Sequence, residues 1–258
     1  MLTEELFNML TAKASEYKYS SLNYVDFEAC KNAEILVDEL GLILLQDKSK
    51  SPTMLYFATN DFEKVIKILA KTSEKIRIHF VPRSYAQQLK TLGFSEWGEY
   101  VDFWNRDLLQ TVKALENPKA IDYLSLDECE KASNITKSCT LQSRGFEGDS
   151  KEAYETWLNA GNNILTQRES GDIVGVCSVS IYNEGTTLWI KELAVEPRYQ
   201  RLGLGKKLIE QAINYGIKNG AVKGFLAADV LNETAISLYK KYDFLANDEE
   251  GELQMIRV

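Results

Sequence analysis

The sequence predicts an α/β protein of two similar lobes, on three observations. Apolar runs of strand length alternate with segments of helical periodicity along the chain. At 258 residues the chain is long enough for two small domains. And two stretches share an outline: SYAQQLKTLGFSEWGEYVDFW (84–104) and ETAISLYKKYDFLANDEEGELQMIRV (233–258) each read as a helix with an apolar stop, an acidic-Gly-Glu turn and an alternating final strand. That is the pattern of a diverged internal duplication. The lobes are placed at 1–116 and 117–258, with TVKALENPK (111–119) as the junction and Pro118 as its punctuation.

The elements follow in order. Leu2, Leu6 and Leu10 recur at helical spacing and predict a helix over 2–18. ILVDELGLILLQ (35–46) and MLYFAT (54–59) are apolar runs of strand length. FEKVIKILAK (62–71) puts Phe62, Val65, Ile66 and Leu69 on one helical face, with Asn60 or Asp61 as its cap. KIRIHFV (75–81) alternates as a strand, 84–94 is a helix stopped at Gly93, and EYVDFW (99–104) alternates again. In the second half, helical periodicity covers 125–138 and 150–160. ILTQRE (164–169), IVGVCSVSIY (173–182) and TTLWIKELAV (186–195) are strands. LGKKLIEQAINYGIKNG is an amphipathic helix ending at Asn219–Gly220, GFLAADV (224–230) is a strand, and 232–244 is a helix capped by Asn232.

Composition narrows the function. The formal net charge of −8 and an isoelectric point near 5.0 argue against a general nucleic-acid binder. No apolar run reaches the roughly 20 residues that span a bilayer. The start, MLTEELFNMLTAKASEY, does not read as a secretory signal, so a cytoplasmic protein is expected. Cys30, Cys129, Cys139 and Cys177 form no C-x-x-C pair and His79 is the one histidine, so no metal site is expected. Any general base must then be a carboxylate, a water or a backbone group.

Against that acidic background, residues 198–207 read RYQRLGLGKK, with Arg198, Arg201, Lys206 and Lys207 and no acid. A strand, Pro197, two glycines and a long helix make an anion cradle: the first helical N–H groups have no intrahelical partners, the helix dipole favours negative charge, and glycine lets a ligand approach the backbone. The loop fits neither a Walker loop nor a G-x-G-x-x-G dinucleotide fingerprint. On these residues alone, a polyanion cradle and a glycine turn with solvated lysines remain equally open. The first half has only TNDFEKV at the matching place.

ELAVEPRYQRLGLGKKL, followed by a strand and NETAISLYKKYDF, resembles the GNAT superfamily of acyl-CoA-dependent acetyltransferases. Gln200 through Gly205 match the family's Q/R-x-x-G-x-G/A loop, and Asn232, Ala235, Leu238 and Tyr239 match its N-x-x-A-x-x-L-Y helix. The likeness covers about 188–244, and the first half is at most a degenerate copy. The family's helix-ending glycine is Asp243 here, while Gly93–Phe94 keeps it in the first half.

The resemblance implies two GNAT-like lobes, each a mixed, mainly antiparallel sheet flanked by helices, with the second sheet splayed beside Leu193, Ala194 and Val195 to admit pantetheine. It implies acetyl-CoA as cosubstrate, held by Leu193, Ala194, Val195, Gln200, Arg201, Leu202, Gly203, Leu204, Gly205, Lys206, Asn232, Ala235 and Leu238, and an amine acceptor attacking the thioester directly. Glu192 is the candidate base and Tyr239 the candidate acid for the leaving thiolate. Each has a structural alternative: Asn232 as a helix cap, Tyr239 as an interfacial aromatic, Glu192 as a buried structural acid sharing a face with Ile190 and Ala194. Residues 138–157 are the expected acceptor wall, with Phe146, Tyr154 and Trp157 as aromatics and Glu147, Asp149, Glu152 and Glu155 as an acidic mouth. The same chemistry would also suit a non-catalytic acyl-CoA-binding regulatory module. The chain is expected to be a monomer of two lobes, or a homodimer, with no nucleic-acid or membrane partner.

Overall fold

The computed structural model describes residues 2–113, 121–247 and 251–258. The expected junction at 116/117, with Pro118, lies outside the described residues, as do 248–250 of the second acidic turn. The helices are α1 (Glu4–Ala14), α2 (Phe27–Cys30), α3 (Glu63–Leu69), α4 (Ala86–Thr91), α5 (Leu108–Lys113), α6 (Cys129–Lys137), α7 (Lys151–Asn159), α8 (Leu204–Lys218) and α9 (Glu233–Lys240). The strands are β1 (Tyr19–Ser20), β2 (Glu34–Glu39), β3 (Leu42–Asp47), β4 (Thr53–Thr59), β5 (Ile76–Ile78), β6 (Ser95–Asn105), β7 (Asn163–Glu169), β8 (Asp172–Tyr182), β9 (Thr187–Val195), β10 (Lys223–Asp229), β11 (Leu245–Ala246) and β12 (Glu252–Arg257).

Two compact units emerge, Met1–Glu99 with Glu252–Val258, and Tyr100–Gly251. The division falls inside β6. In the first unit β2, β3 and β4 run antiparallel, β4 and β5 pair in parallel over 53–55 and 76–78, and β12 lies antiparallel on β5. In the second, β7, β8 and β9 run antiparallel, β9 and β10 pair in parallel over 187–189 and 223–225, and residues 100–105 of β6 lie antiparallel on β10. The pairing scheme is the same, and each unit takes its closing strand from the other half of the sequence.

Several expectations are revised. The run 35–46 is two strands, because Gly41 takes φ 81° and turns the chain into a hairpin. The acidic-Gly-Glu stretch of the first half is no turn: it runs within β6. The helix over 232–244 ends at Lys240, and Asp243 then takes φ 60° where Gly93 takes 84°. Both stops close identically: Gly93 and Phe94 N–H bond to Lys90 and Leu89 carbonyls, and Asp243 and Phe244 N–H to Lys240 and Tyr239 carbonyls. Aspartate enters the left-handed region there with its carboxylate accepting from Thr111 at 3.1 Å.

Each sheet is covered on both faces. In the first unit Leu55, Phe57, Ile78, Leu253 and Met255 pack with α3 and α4, while Tyr56 and Ala58 face Phe7 and Leu10 of α1. In the second, Leu204, Leu208, Ile209, Ala212 and Ile213 of α8 fill one face. Tyr154 of α7 and Ala132 and Ile135 of α6 cover β8 and the end of β9 on the other.

The first unit has no counterpart of the glycine loop. α3 has 7 residues against 15 in α8. Phe62 is fully buried against Phe57 and Tyr85, and the Asp61 carboxylate already accepts the Glu63 N–H at 3.1 Å. An anion there would meet an acid and a filled core. Because β12 supplies Leu253 to the first unit's core, Leu253→Ala is expected to destabilise that unit by about 3 kcal/mol and to speed amide exchange in β5. Urea denaturation and hydrogen exchange check this.

Candidate active site

β9 and β10 stay paired only as far as Trp189 and Phe225. Beyond that point residues 190–195 and 226–229 part and line a cavity of about 700 Å³. The splay expected beside Leu193–Val195 is therefore present. A bulge accompanies it: Ile190 pairs with Val179 and Glu192 with Ser178, leaving Lys191 as the extra residue of β9. Leu188 and Ile190 pack on the α8 side, and the extra residue resets the alternation. Glu192 and Ala194 consequently face α6 and α7, with Tyr154. Glu192 does not share the face of Ile190, which strict alternation had implied.

Glu192 is 8% exposed. Burial, followed by the negative charge of Asp149, pushes its carboxyl up from the ordinary 4.5 to about 7. Three influences oppose that rise: a hydrogen bond donated by the buried Tyr154 hydroxyl, the charge of Lys191, and the backbone N–H of Asp149. Lys191 is itself ion-paired with Asp149 and lies 5.2 Å from the Trp157 ring centroid.

At the other end of the cavity Arg201 (φ 62°) and Gly203 (φ 80°) turn the chain into α8, which starts with no side-chain cap. The N–H groups of Leu204, Gly205 and Lys206 precede the first helical bond, that of Lys207 to the Gly203 carbonyl at 3.1 Å. A Cβ on Gly205 would come 3.4 Å from Leu238 of α9, so the two predicted motifs meet here.

The remaining predicted residues divide. Arg201, Gly203, Gly205, Lys206, Asn232, Ala235, Leu238 and Tyr239 line the cavity. Leu202 points to solvent at 64% exposure, and Leu204 is 2% exposed because it begins the apolar face of α8, so neither side chain reaches the cavity. Gln200 spends its amide on the Val195 carbonyl and Gln142, each at 2.8 Å, tying the loop to β9. Lys206 lies 3.7 Å from Glu210. Asn232 caps α9, accepting the Ala235 N–H at 3.1 Å, and lines the cavity as well. Tyr239 is 8% exposed, and burial pushes its hydroxyl up, keeping it protonated across the neutral range.

On the acceptor side, Phe146 lines the cavity, whereas Tyr154 is core and Trp157 packs edge-on against Trp189 at 5.5 Å. The acidic mouth is partly neutralised: Asp149 pairs with Lys191, and Glu155 with Lys151 at 3.5 Å. Sequence reasoning missed Tyr100, Arg144 and Asp229. Asp229, 2% exposed, accepts from the Arg144 backbone N–H at 2.9 Å and its guanidinium at 2.7 Å and 3.2 Å. The Tyr100 hydroxyl donates to the Arg144 carbonyl. Residues 144–149 are thus fastened to β10 and β6 at one end and to β9 at the other, spanning the gap between the parted strands. Gly148 makes the close approach to α6 possible, since a Cβ would sit 2.7 Å from the Lys137 nitrogen at φ 72°. The only available cue was the pair of glycines in SRGFEGDS.

Residues 129–244 match the model of the Acetyltransferase (GNAT) family. They form a GNAT domain. The chain has no match among curated proteins. Among solved structures it is similar in fold to a functionally unknown conserved protein from Staphylococcus epidermidis, at 15% identity and a TM-score of 0.57, over 92% of this chain and 98% of that one. A GCN5-related N-acetyltransferase-like protein from Streptococcus suis matches at 14% identity and a TM-score of 0.55, over 98% of both chains. A GCN5-related N-acetyltransferase from Kribbella flavida matches at 15% and 0.53, over 88% of this chain and 90% of that one. Both units therefore fall within the span of the fold likeness, while the family match lies in the second.

Among the described residues no group of three or more metal-ligating side chains occurs, and no helix is long and apolar enough to cross a membrane. The GNAT domain carries a stability signature. With its pKa raised in the folded state, Glu192 holds a proton that the unfolded chain has released, so stability falls as pH rises from about 4.5 to 7. Glu192→Gln is expected to be more stable than the parent by about 1–3 kcal/mol at pH 8, with the difference vanishing near pH 4. Urea denaturation at the two pH values checks it.

Proposed function

We propose that the chain is an acetyl-CoA-dependent N-acetyltransferase whose second unit carries the reaction and whose first unit is a degenerate copy without a ligand loop. One observation carries the reading: a carboxyl with a pKa of about 7 and a protonated tyrosine hydroxyl, Glu192 and Tyr239, line the same cavity at a strand break, beside an uncapped helix N-terminus. The residues fit acetyl-CoA. The open N–H groups of 204–206, with Arg201 and Lys206, suit its pyrophosphate. The backbone released by the splay at 193–195 suits the amides of its pantetheine arm.

A primary alkylamine with a pKa of about 10.4 is roughly one part in 10³ neutral at pH 7. Glu192 takes the proton of the incoming ammonium, directly or through one water, and the neutral amine attacks the thioester carbonyl. A backbone N–H beside the bulge at Lys191 is the donor this reading assigns to the carbonyl oxygen as it gains charge. As the carbon–sulfur bond breaks, Tyr239 gives its proton to the leaving sulfur, and the second proton that the nitrogen sheds in becoming an amide restores the tyrosine hydroxyl through solvent. The burial that raises the tyrosine pKa equally raises the basicity of a thiolate in the same cavity. Phe146 and Tyr100 line the acceptor end.

Calorimetric titration with acetyl-CoA is expected to show one site per chain, abolished by Gly205→Asp, which puts bulk and negative charge against Leu238. Two sites would refute the degenerate-copy reading. Binding without thiol release across an amine panel would leave a binding module.

With a competent amine, kcat/KM should rise with pH through about 7, because the ionised form of Glu192 is the active one. Glu192→Gln should lower it at least about 10²-fold, and Tyr239→Phe should lower kcat with acetyl-CoA affinity unchanged. Stopped-time thiol assays against pH measure all three.

A further inference from the structure

Tyr154 has no part in the mechanism above, yet it is one of the largest fully buried side chains of the protein. Its ring sits in the α6–α7 core among Ala132, Ile135, Ile164 and Val176, and its hydroxyl ends on Oε2 of Glu192. A phenylalanine would fill the same apolar space without burying a hydroxyl. The hydroxyl therefore answers to the carboxylate.

The surroundings of Glu192 leave few other constraints on it. Ser178, its register partner on β8, is 1% exposed, and its hydroxyl has no hydrogen-bond partner. From the 144–149 segment Asp149 presents both a carboxylate and a backbone N–H, and from the bulge Lys191 presents an ammonium already paired with that carboxylate. Cys139 after α6 lies in the same core, and Cys177 packs on the opposite, α8-facing side of β8; burial pushes both thiols up. Thr136 of α6 lies beside the tyrosine oxygen.

We propose that Tyr154 is the positioning residue of this site: its hydroxyl fixes the Glu192 carboxylate toward the cavity and sets the pH at which that carboxylate takes up its proton. A donor on one carboxylate oxygen stabilises the ionised form and leaves the remaining lone pairs for an incoming proton. Without it, burial would hold the carboxyl protonated to higher pH. The Tyr154–Glu192 coupling stands on the geometry; its catalytic consequence rests on Glu192 being the base.

Carboxyl-carbon NMR of protein labelled at glutamate Cδ follows the Glu192 titration with no acceptor present, its signal identified by loss in Glu192→Gln. Tyr154→Phe should move the midpoint upward by about one pH unit. In an amine assay kcat/KM well below the midpoint should then fall about tenfold, with little change at pH 9. A structural role alone would lower stability and leave the midpoint in place, so an unmoved midpoint overturns the proposal.

Should Tyr154→Phe fail to fold, the unmodified protein still decides. The Tyr154 ring carbon bearing the hydroxyl should shift with the same midpoint as Glu192, and independent titrations overturn the coupling. The two readings separate cleanly: a Glu192→Gln protein of full activity refutes the base, while the coupled titration stands or falls without reference to turnover.

Discussion

The loss of pairing between β9 and β10 after Trp189 and Phe225 is the constraint on which the rest of the second unit depends. Parallel strands that part expose backbone N–H and C=O groups that must find partners. At the end of the parted stretch of β9 that demand is met by side chains. Gln200 and the Cys139 thiol serve the Val195 carbonyl, at 2.8 Å and 3.3 Å. Across the gap, the 144–149 segment is clamped by Arg144 to Asp229 and by Asp149 to Lys191. The cavity that results lies between the parted strands and is lined by residues 190–195 of β9 and 226–229 of β10.

The bulge decides which face of β9 presents Glu192. One extra residue at 191 carries Glu192 from the α8 face to the α6–α7 face, where it is buried beside a tyrosine instead of among aliphatics. Burying a carboxyl costs stability unless it is protonated or well bonded. Here it is bonded, and the desolvation that weakens the fold still carries its pKa up to about 7.

Much of this was legible in the sequence because it rests on local rules. Helix periodicity gave α8, Asn232 gave the cap of α9, and the linked Gly203–Gly205 and Asn232–Tyr239 patterns gave the cavity walls. What escaped is long-range or backbone-driven. Strict alternation cannot register a bulge, so the face of Glu192 came out wrong. Leu202 and Leu204 fell inside a matching motif, but a helix start rotates successive side chains apart, one to solvent and one to the core. Arg144 and Asp229 are far apart in sequence, and nothing in either neighbourhood announces the partner. Tyr100 belongs to the first half of the sequence, outside both motifs.

The closing strands tie the two halves of the sequence together. β10 is flanked by residues 100–105, which reach it from the end of the first half, and β5 is flanked by β12, from the end of the second. Removing either half would strip a strand from the other unit and leave an unpaired sheet edge, a template for aggregation. It would also remove Tyr100 from the cavity or Leu253 and Met255 from the first core. The two halves are thus tied together by hydrogen bonding and burial: the segment at Phe62 and Asp61 packs within its own unit, while each closing strand is bound into a sheet built by the other half.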